Sequence, residues 1–177
     1  MQVNIQLDKK EFDTLVKQMI IVVDSREKEN KHITDFFKAR GINWTQEKLD
    51  FGDYGYRLEG VDLVYPRWVF SDLYIERKAS LVELSNNLSQ DRDRFELELD
   101  EICKRGGKLN LLIEDSNAMK NIFNNDYGTN LNKEAFLGSL FSFIHKYNIS
   151  IAQLPKYQIG EYIYLLCKYH LREALKF

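Results

Sequence analysis

Glu76 and Lys78 lie two residues apart in Ile75-Glu76-Arg77-Lys78, at the end of a stretch that reads as a strand over residues 69–77. On a strand such residues project from the same face. A carboxylate beside an ammonium suits hydrolysis: the acid holds a hard divalent cation through oxygen, and the ammonium orients or helps activate an attacking water. One carboxylate binds Mg²⁺ weakly, so partners are needed. Asp53 follows Gly52 at the start of an earlier strand, and Asp24 ends the strongest apolar run, Ile20-Ile21-Val22-Val23. Sheets of α/β proteins tend to place their sites at strand ends. Three acids gathered there would make a magnesium site able to polarise a phosphodiester and activate water. Each residue also has a plainer reading. Glu-x-Lys is often a solvated face or a cross-strand salt bridge, and Asp24 and Asp53 suit turns. What favours the joint reading is that all three acids fall at the edges of expected strands.

The elements that must position these residues follow from periodicity. Val3, Ile5 and Leu7 alternate with polar residues as in a short strand. Asp8 with Glu11 three residues later reads as a capping box, opening a helix with Phe12, Leu15, Val16 and Met19 on its apolar face. The β-branched run from Met19 predicts a buried central strand. Ile33, Phe36, Phe37 and Ala39 fit a helix closed by Gly41. Further strands are expected over 43–48, 54–58, 61–65 and 69–77, with turns at 50–53, Glu59-Gly60 and Pro66. Helices are expected over 81–87, 91–105, 131–147 and 159–175, and strands over 109–113 and 149–153. The expected fold class is α/β with a mixed central sheet flanked by helices. Residues 1–18 read as a strand–helix extension and 19–177 as the main domain.

Composition narrows the class of function. With 177 residues, 44% of them hydrophobic, and two prolines, the chain can bury one sizeable core. The formal net charge of −2 argues against a non-specific nucleic-acid coat protein. Residues 51–100 carry 6 basic and 11 acidic side chains, and residues 101–177 carry 10 and 7. That asymmetry suits a metal site beside a phosphate-binding surface, and is also common without either. Cys103 and Cys167 have no metal-ligand spacing and read as two buried thiols in a reducing cytoplasm. No apolar run approaches membrane-spanning length and the N-terminus is no signal peptide, so a soluble, non-secreted, cytoplasmic protein is expected.

Three motifs in order carry a family resemblance: Val22-Val23-Asp24-Ser25-Arg26-Glu27, then Leu49-Asp50-Phe51-Gly52-Asp53-Tyr54, then Ile75-Glu76-Arg77-Lys78. Together they resemble the XPF-type nuclease domain of the XPF and Hef structure-specific endonucleases, whose hallmark is Gly-Asp, a variable gap, then Glu-Arg-Lys. The segments 80–88, 91–96, 111–114 and Leu171-Arg172-Glu173 are similar to the smaller bacterial and phage members, so the resemblance covers about residues 19–175. It implies a restriction-endonuclease-like core of the PD-(D/E)XK superfamily. It implies Mg²⁺ as cofactor, with Mn²⁺ able to substitute, and Asp24, Asp53 and Glu76 as metal ligands or their close supports. Lys78 would position the nucleophilic water, and Glu27 and Arg77 would organise the acids. Arg26 and Arg94 would contact DNA phosphate. The implied product ends are a 5′-phosphate and a 3′-hydroxyl. The implied substrate is branched, flap or junction DNA in recombination or repair, in a phage or mobile-element setting, and the implied assembly is a homodimer through C-terminal helices.

Two departures limit the carry-over. Archaeal and eukaryotic members usually place an Asp where Val82 stands, and Glu83 is its neighbour. This chain also lacks room for the helix-hairpin-helix domain with which larger members grip DNA. The competing hypothesis is a catalytically silent DNA- or partner-binding subunit that keeps the fold. Intact Asp24, Glu27, Asp53, Glu76, Arg77 and Lys78 favour the enzyme. His32, His145 and His170 are too scattered for a histidine metal site or triad. Phe136, Phe141, Phe143 and Tyr147 read as core or dimer interface rather than a base-stacking platform.

Overall fold

The computed structural model describes residues 8–58 and 72–174. The expected strands at 3–7 and 61–65, the turns at Glu59-Gly60 and Pro66, and the start of the 69–77 strand lie outside the described residues. Six strands and seven α-helices are described, with both parallel and antiparallel pairing, so the chain is α/β with mixed strand directions. Its contacts divide it into two compact units, Met1–Leu73 with Gly160–Phe177, and Tyr74–Ile159.

In the first unit Asp8 caps α1 (Lys9–Gln18) through the expected capping box: its side chain accepts from Glu11 N–H, and Glu11 reaches back to Asp8 N–H, both at 2.8 Å. β1 (Met19–Asp24) follows, buried at all but one position, as its unbroken apolar run requires. α2 (Lys31–Arg40) ends at Gly41, whose φ of 61° is the left-handed cap that glycine adopts without strain. β2 (Trp44–Glu47) runs parallel to β1 and sets Asp24 opposite Glu47, while β3 (Tyr54–Leu58) runs antiparallel with Val22 opposite Gly55. β1 is therefore the middle strand of β2-β1-β3. The helix α7 (Ile159–Ala174) buries Ile163, Cys167 and Leu171 at four-residue intervals. Its Gly160 sits so close to Phe36 of α2 that a Cβ there would lie 3.0–3.1 Å from that side chain.

In the second unit β4 (Leu73–Lys78, entered from Leu73), β5 (Lys108–Ile113) and β6 (Ser150–Gln153) lie in that order, with Leu111 opposite Ile151 in a parallel pair. α3 (Leu81–Leu88) is capped by Ser80. α4 (Arg92–Lys104) buries Phe95, Leu99 and Ile102, a four-then-three spacing that makes one apolar stripe. Cys103 falls just off that stripe and is exposed, so the expectation of two buried thiols holds for Cys167 alone. α6 (Lys133–Tyr147) buries Phe136, Leu140, Phe143 and Tyr147 and leaves Phe141 exposed. The short α5 (Ala118–Phe123) escapes sequence reading because six residues are too few to show a period. Asp115 starts it by accepting from Asn117 N–H at 2.7 Å and Asn121 Nδ2 at 2.8 Å.

Candidate functional site

The first unit presents the Asp24 turn. Only 1% of Asp24 is exposed, and both carboxylate oxygens are committed. Oδ1 accepts from Arg26 N–H at 2.7 Å and from Arg26 Nε at 2.8 Å. Oδ2 accepts from Arg26 Nη2 and from Leu49 N–H, each at 2.8 Å. An Asp that accepts the amide two residues on is the Asx-turn expected where an apolar strand must stop. Arg26 Nη2 also donates to Leu49 O at 2.9 Å, which clips the 49–53 loop to the end of β1. The backbone finishes the arrangement: Asp24 N–H donates to Asp53 O at 2.8 Å, Ser25 N–H to Glu47 O at 2.9 Å, and Glu27 N–H to Asp24 O at 3.1 Å. Gly52, with φ of 69°, supplies the left-handed step ahead of Asp53. Burial raises the Asp24 pKa, but the Arg26 and Leu49 hydrogen bonds outweigh it, and the carboxyl sits below its ordinary value.

The second unit presents the strand β4. Glu76 and Lys78 lie on one face, as period-two geometry requires, and Lys78 Nζ meets Glu76 Oε1 at 2.6 Å. Lys78 Nζ also lies 3.7 Å from Glu83 Oε1 and 5.6 Å from the ring centre of Phe95. Glu83 is fixed from the other side, since its Oε2 accepts from Ala79 N–H at 2.9 Å while its own amide caps onto Ser80 Oγ at 3.2 Å. Burial holds the Glu76 pKa above its ordinary value. Lys78 opposes that rise, and the nearby charges of Glu98 and Glu83 add to it.

Arg77 takes the opposite face of the strand. Its guanidinium pairs with Glu114, just past the end of β5, and the two side chains are only 4% and 5% exposed. Glu114 N–H donates to Lys78 O at 2.9 Å, and Lys156 Nζ lies 3.6 Å from Glu114 Oε1. Arg94 is exposed on α4, with Asp91 Oδ2 at 3.6 Å. His145 is exposed. His170 is half-buried, with Tyr56 OH at 2.8 Å from Nδ1 and Asp72 Oδ1 at 3.2 Å from Nε2.

The structure thus brings Asp24, Arg26 and the Asp53 backbone together in one unit, and Glu76 with Lys78 in the other. It sets Glu83, singled out in the sequence beside Val82, near Lys78, and adds three residues that motif reading did not assign: Phe95, Glu98 and Glu114. Glu114 follows an apolar strand as Asp24 ends one, a signal present in the sequence. Phe95 and Glu98 join Lys78 or Glu76 only through packing. Among the described residues no three His, Cys, Asp or Glu side chains gather closely enough to enclose a cation by themselves. The donor chemistry still fits Mg²⁺, which binds through one or two carboxylates and keeps the rest of its shell for water and substrate phosphate.

A family model described as the ERCC4 domain matches residues 23–166. Among solved structures, XPF from Aeropyrum pernix is similar, with a TM-score of 0.59 at 14% identity over 86% of this chain and 65% of that one. XPF from Aeropyrum pernix in complex with DNA gives a TM-score of 0.59 at 15% identity, over 87% of this chain and 66% of that one. This chain therefore spans just under two thirds of those proteins, and at such identity the likeness shows a shared fold. No curated protein sequence matches it significantly. The family match takes in the three motifs from Val23 onward, and no helix among the described residues is long and apolar enough to cross a membrane. The chain belongs to the ERCC4 domain family, a family of nuclease domains.

Proposed function

We propose that the chain is a metal-dependent DNA endonuclease that hydrolyses phosphodiester bonds at branched, flap or junction DNA in recombination or repair. The observation that carries the reading is the buried Glu76–Lys78 pair, 2.6 Å apart on one strand face. A buried ion pair is weak support for stability, because desolvating both charges offsets their attraction. Function is the better account of it. Glu76 is the carboxylate proposed to hold Mg²⁺, or Mn²⁺ in its place, and Asp53 is a proposed ligand on its motif position alone. The cation supplies charge that polarises the phosphodiester and lowers the pKa of the attacking water.

Lys78 orients that water. Asp24 acts as a support, because a carboxylate offers about four lone-pair sites and Arg26 and Leu49 already donate four hydrogen bonds to it. Glu27 continues the same turn through its backbone: its carbonyl accepts from Asn30 Nδ2 at 2.9 Å. Arg77 holds β4 against β5 through Glu114. Arg94 is exposed and is the proposed contact to backbone phosphate.

The test is cleavage of labelled linear duplex, flap, splayed-arm and four-way-junction DNA, with Mg²⁺ or EDTA, by wild type and Lys78→Met. Circular dichroism checks that the variant folds. Cutting that requires both the metal and Lys78 is expected, and the ranking of substrates reads out structure preference. Wild type that binds these DNAs equally with and without Mg²⁺ and never cuts them would replace the enzyme with a DNA-binding subunit.

A further inference from the structure

A lysine amine buried to 5% exposure needs its position specified on every side, since a flexible four-carbon stem otherwise leaves the ammonium free to turn. Two sides of Lys78 Nζ are anionic, Glu76 Oε1 at 2.6 Å and Glu83 Oε1 at 3.7 Å. The ring of Phe95 also faces it, with its centre 5.6 Å away. We propose that Phe95 is a positioning residue for Lys78: its negative ring face holds the ammonium in register with Glu76.

Phe95 is 4% exposed, and taken alone it is an ordinary core residue of α4. Its surroundings fix the orientation of the ring as well as its burial. Phe143 of α6 packs against it with centroids 5.7 Å apart and planes tilted by 55°. Phe143 is fixed in turn by Tyr147, edge-on at 5.9 Å, and by the Arg92 guanidinium 4.6 Å from its ring centre. A cation within about 6 Å of a ring centroid is drawn by the ring quadrupole, and more strongly where both are desolvated. The ring adds a contact to Lys78 Nζ without adding a further charge that would compete for it.

The inference rests on the nuclease reading, so its test separates the two. In metal-free protein, the ring current of Phe95 should shift the Lys78 side-chain methylene resonances upfield, and Phe95→Leu should abolish that shift. A series of mono-, di- and trifluorophenylalanine at position 95 then keeps ring shape while progressively draining the negative face. The expected result is a graded loss of the single-turnover cleavage rate, reaching about threefold to tenfold for the trifluoro ring. DNA affinity and the melting temperature should hold steady across the series. Absence of the ring-current shift, or a cleavage rate flat across the series, overturns the role of Phe95. A clear ring-current shift in a wild type that cuts no DNA overturns the nuclease reading instead, and the catalytic meaning of the contact with it.

Discussion

Asp24 and Glu76 are both acids on buried strands, and burial pushes both carboxyls toward the neutral form. In the first unit Asp24 answers with hydrogen bonds from Arg26 and Leu49, which carry its pKa below the ordinary value. In the second unit Glu76 faces the single ammonium of Lys78 and the added charges of Glu98 and Glu83, and its pKa stays above the ordinary value. Hydrogen-bond donors outweigh burial at the first carboxyl, and burial outweighs the ammonium at the second. A satisfied anion organises the loop around it. On the proposed function, a cation held by Glu76 would offset the cost of its burial.

Several substitutions break or sharpen this contrast. The largest effect is expected for Glu76→Gln, which keeps an oxygen for Lys78 but removes the charge. Cleavage should fall by about 10²–10⁴-fold, as for loss of a group acting directly on the reacting atoms. A loss below tenfold in a single-turnover assay would make Glu76 as structural as Asp24.

Next comes Arg77→Met, which leaves Glu114 buried without its guanidinium. A cost of roughly 3–5 kcal/mol is expected in urea unfolding, and the double variant Arg77→Met with Glu114→Met should regain most of it. If the double variant is no better than the single, Arg77 does more than hold β4 to β5.

Arg26→Ala probes the satisfied acid. Because Arg26 is 61% exposed, a stability loss of only about 1 kcal/mol is expected. The Mg²⁺ concentration for half-maximal cutting should move by less than about threefold, equivalent to well under 1.4 kcal/mol. A marked tightening of metal dependence would show that Asp24 becomes a ligand once the guanidinium leaves.

The smallest effect concerns a base caught by burial. Burial lowers the His170 pKa below its ordinary 6.5, and Asp72 only partly restores it. The unfolded chain then takes up the proton first as pH falls. The stability from neutral His170 is complete above about 6.5 and is lost as pH drops from there toward the folded-state value. Thermal melts between pH 5 and 7.5 should show this decline, and His170→Gln should flatten it. A variant that melts with the wild-type slope would place the titration elsewhere.

Most elements were legible from local signals. The Asp8–Glu11 capping box, the closing glycine Gly41 and the β-branched run into Asp24 each act through residues within a few positions of one another, so sequence spacing suffices to read them. The alternation that puts Glu76 and Lys78 on one face is equally local, and it also sends Arg77 to the other side. The family itself was readable, because three short motifs in fixed order are specific where each alone is not.

Only tertiary structure decided what each charge meets. That Arg77 closes on Glu114, 37 residues away, depends on the adjacency of β4 and β5. That Phe95 faces Lys78 depends on how α4 packs, and nothing in Asp91–Glu96 distinguishes this phenylalanine from any other core aromatic. The exposure of Cys103 turns on a single step around α4 from the buried Ile102. The type and spacing of residues determine the local backbone and which side chains share a face. The pKa of a buried acid, and with it the difference between a support and a reactive group, depends on distant partners that only the folded chain supplies.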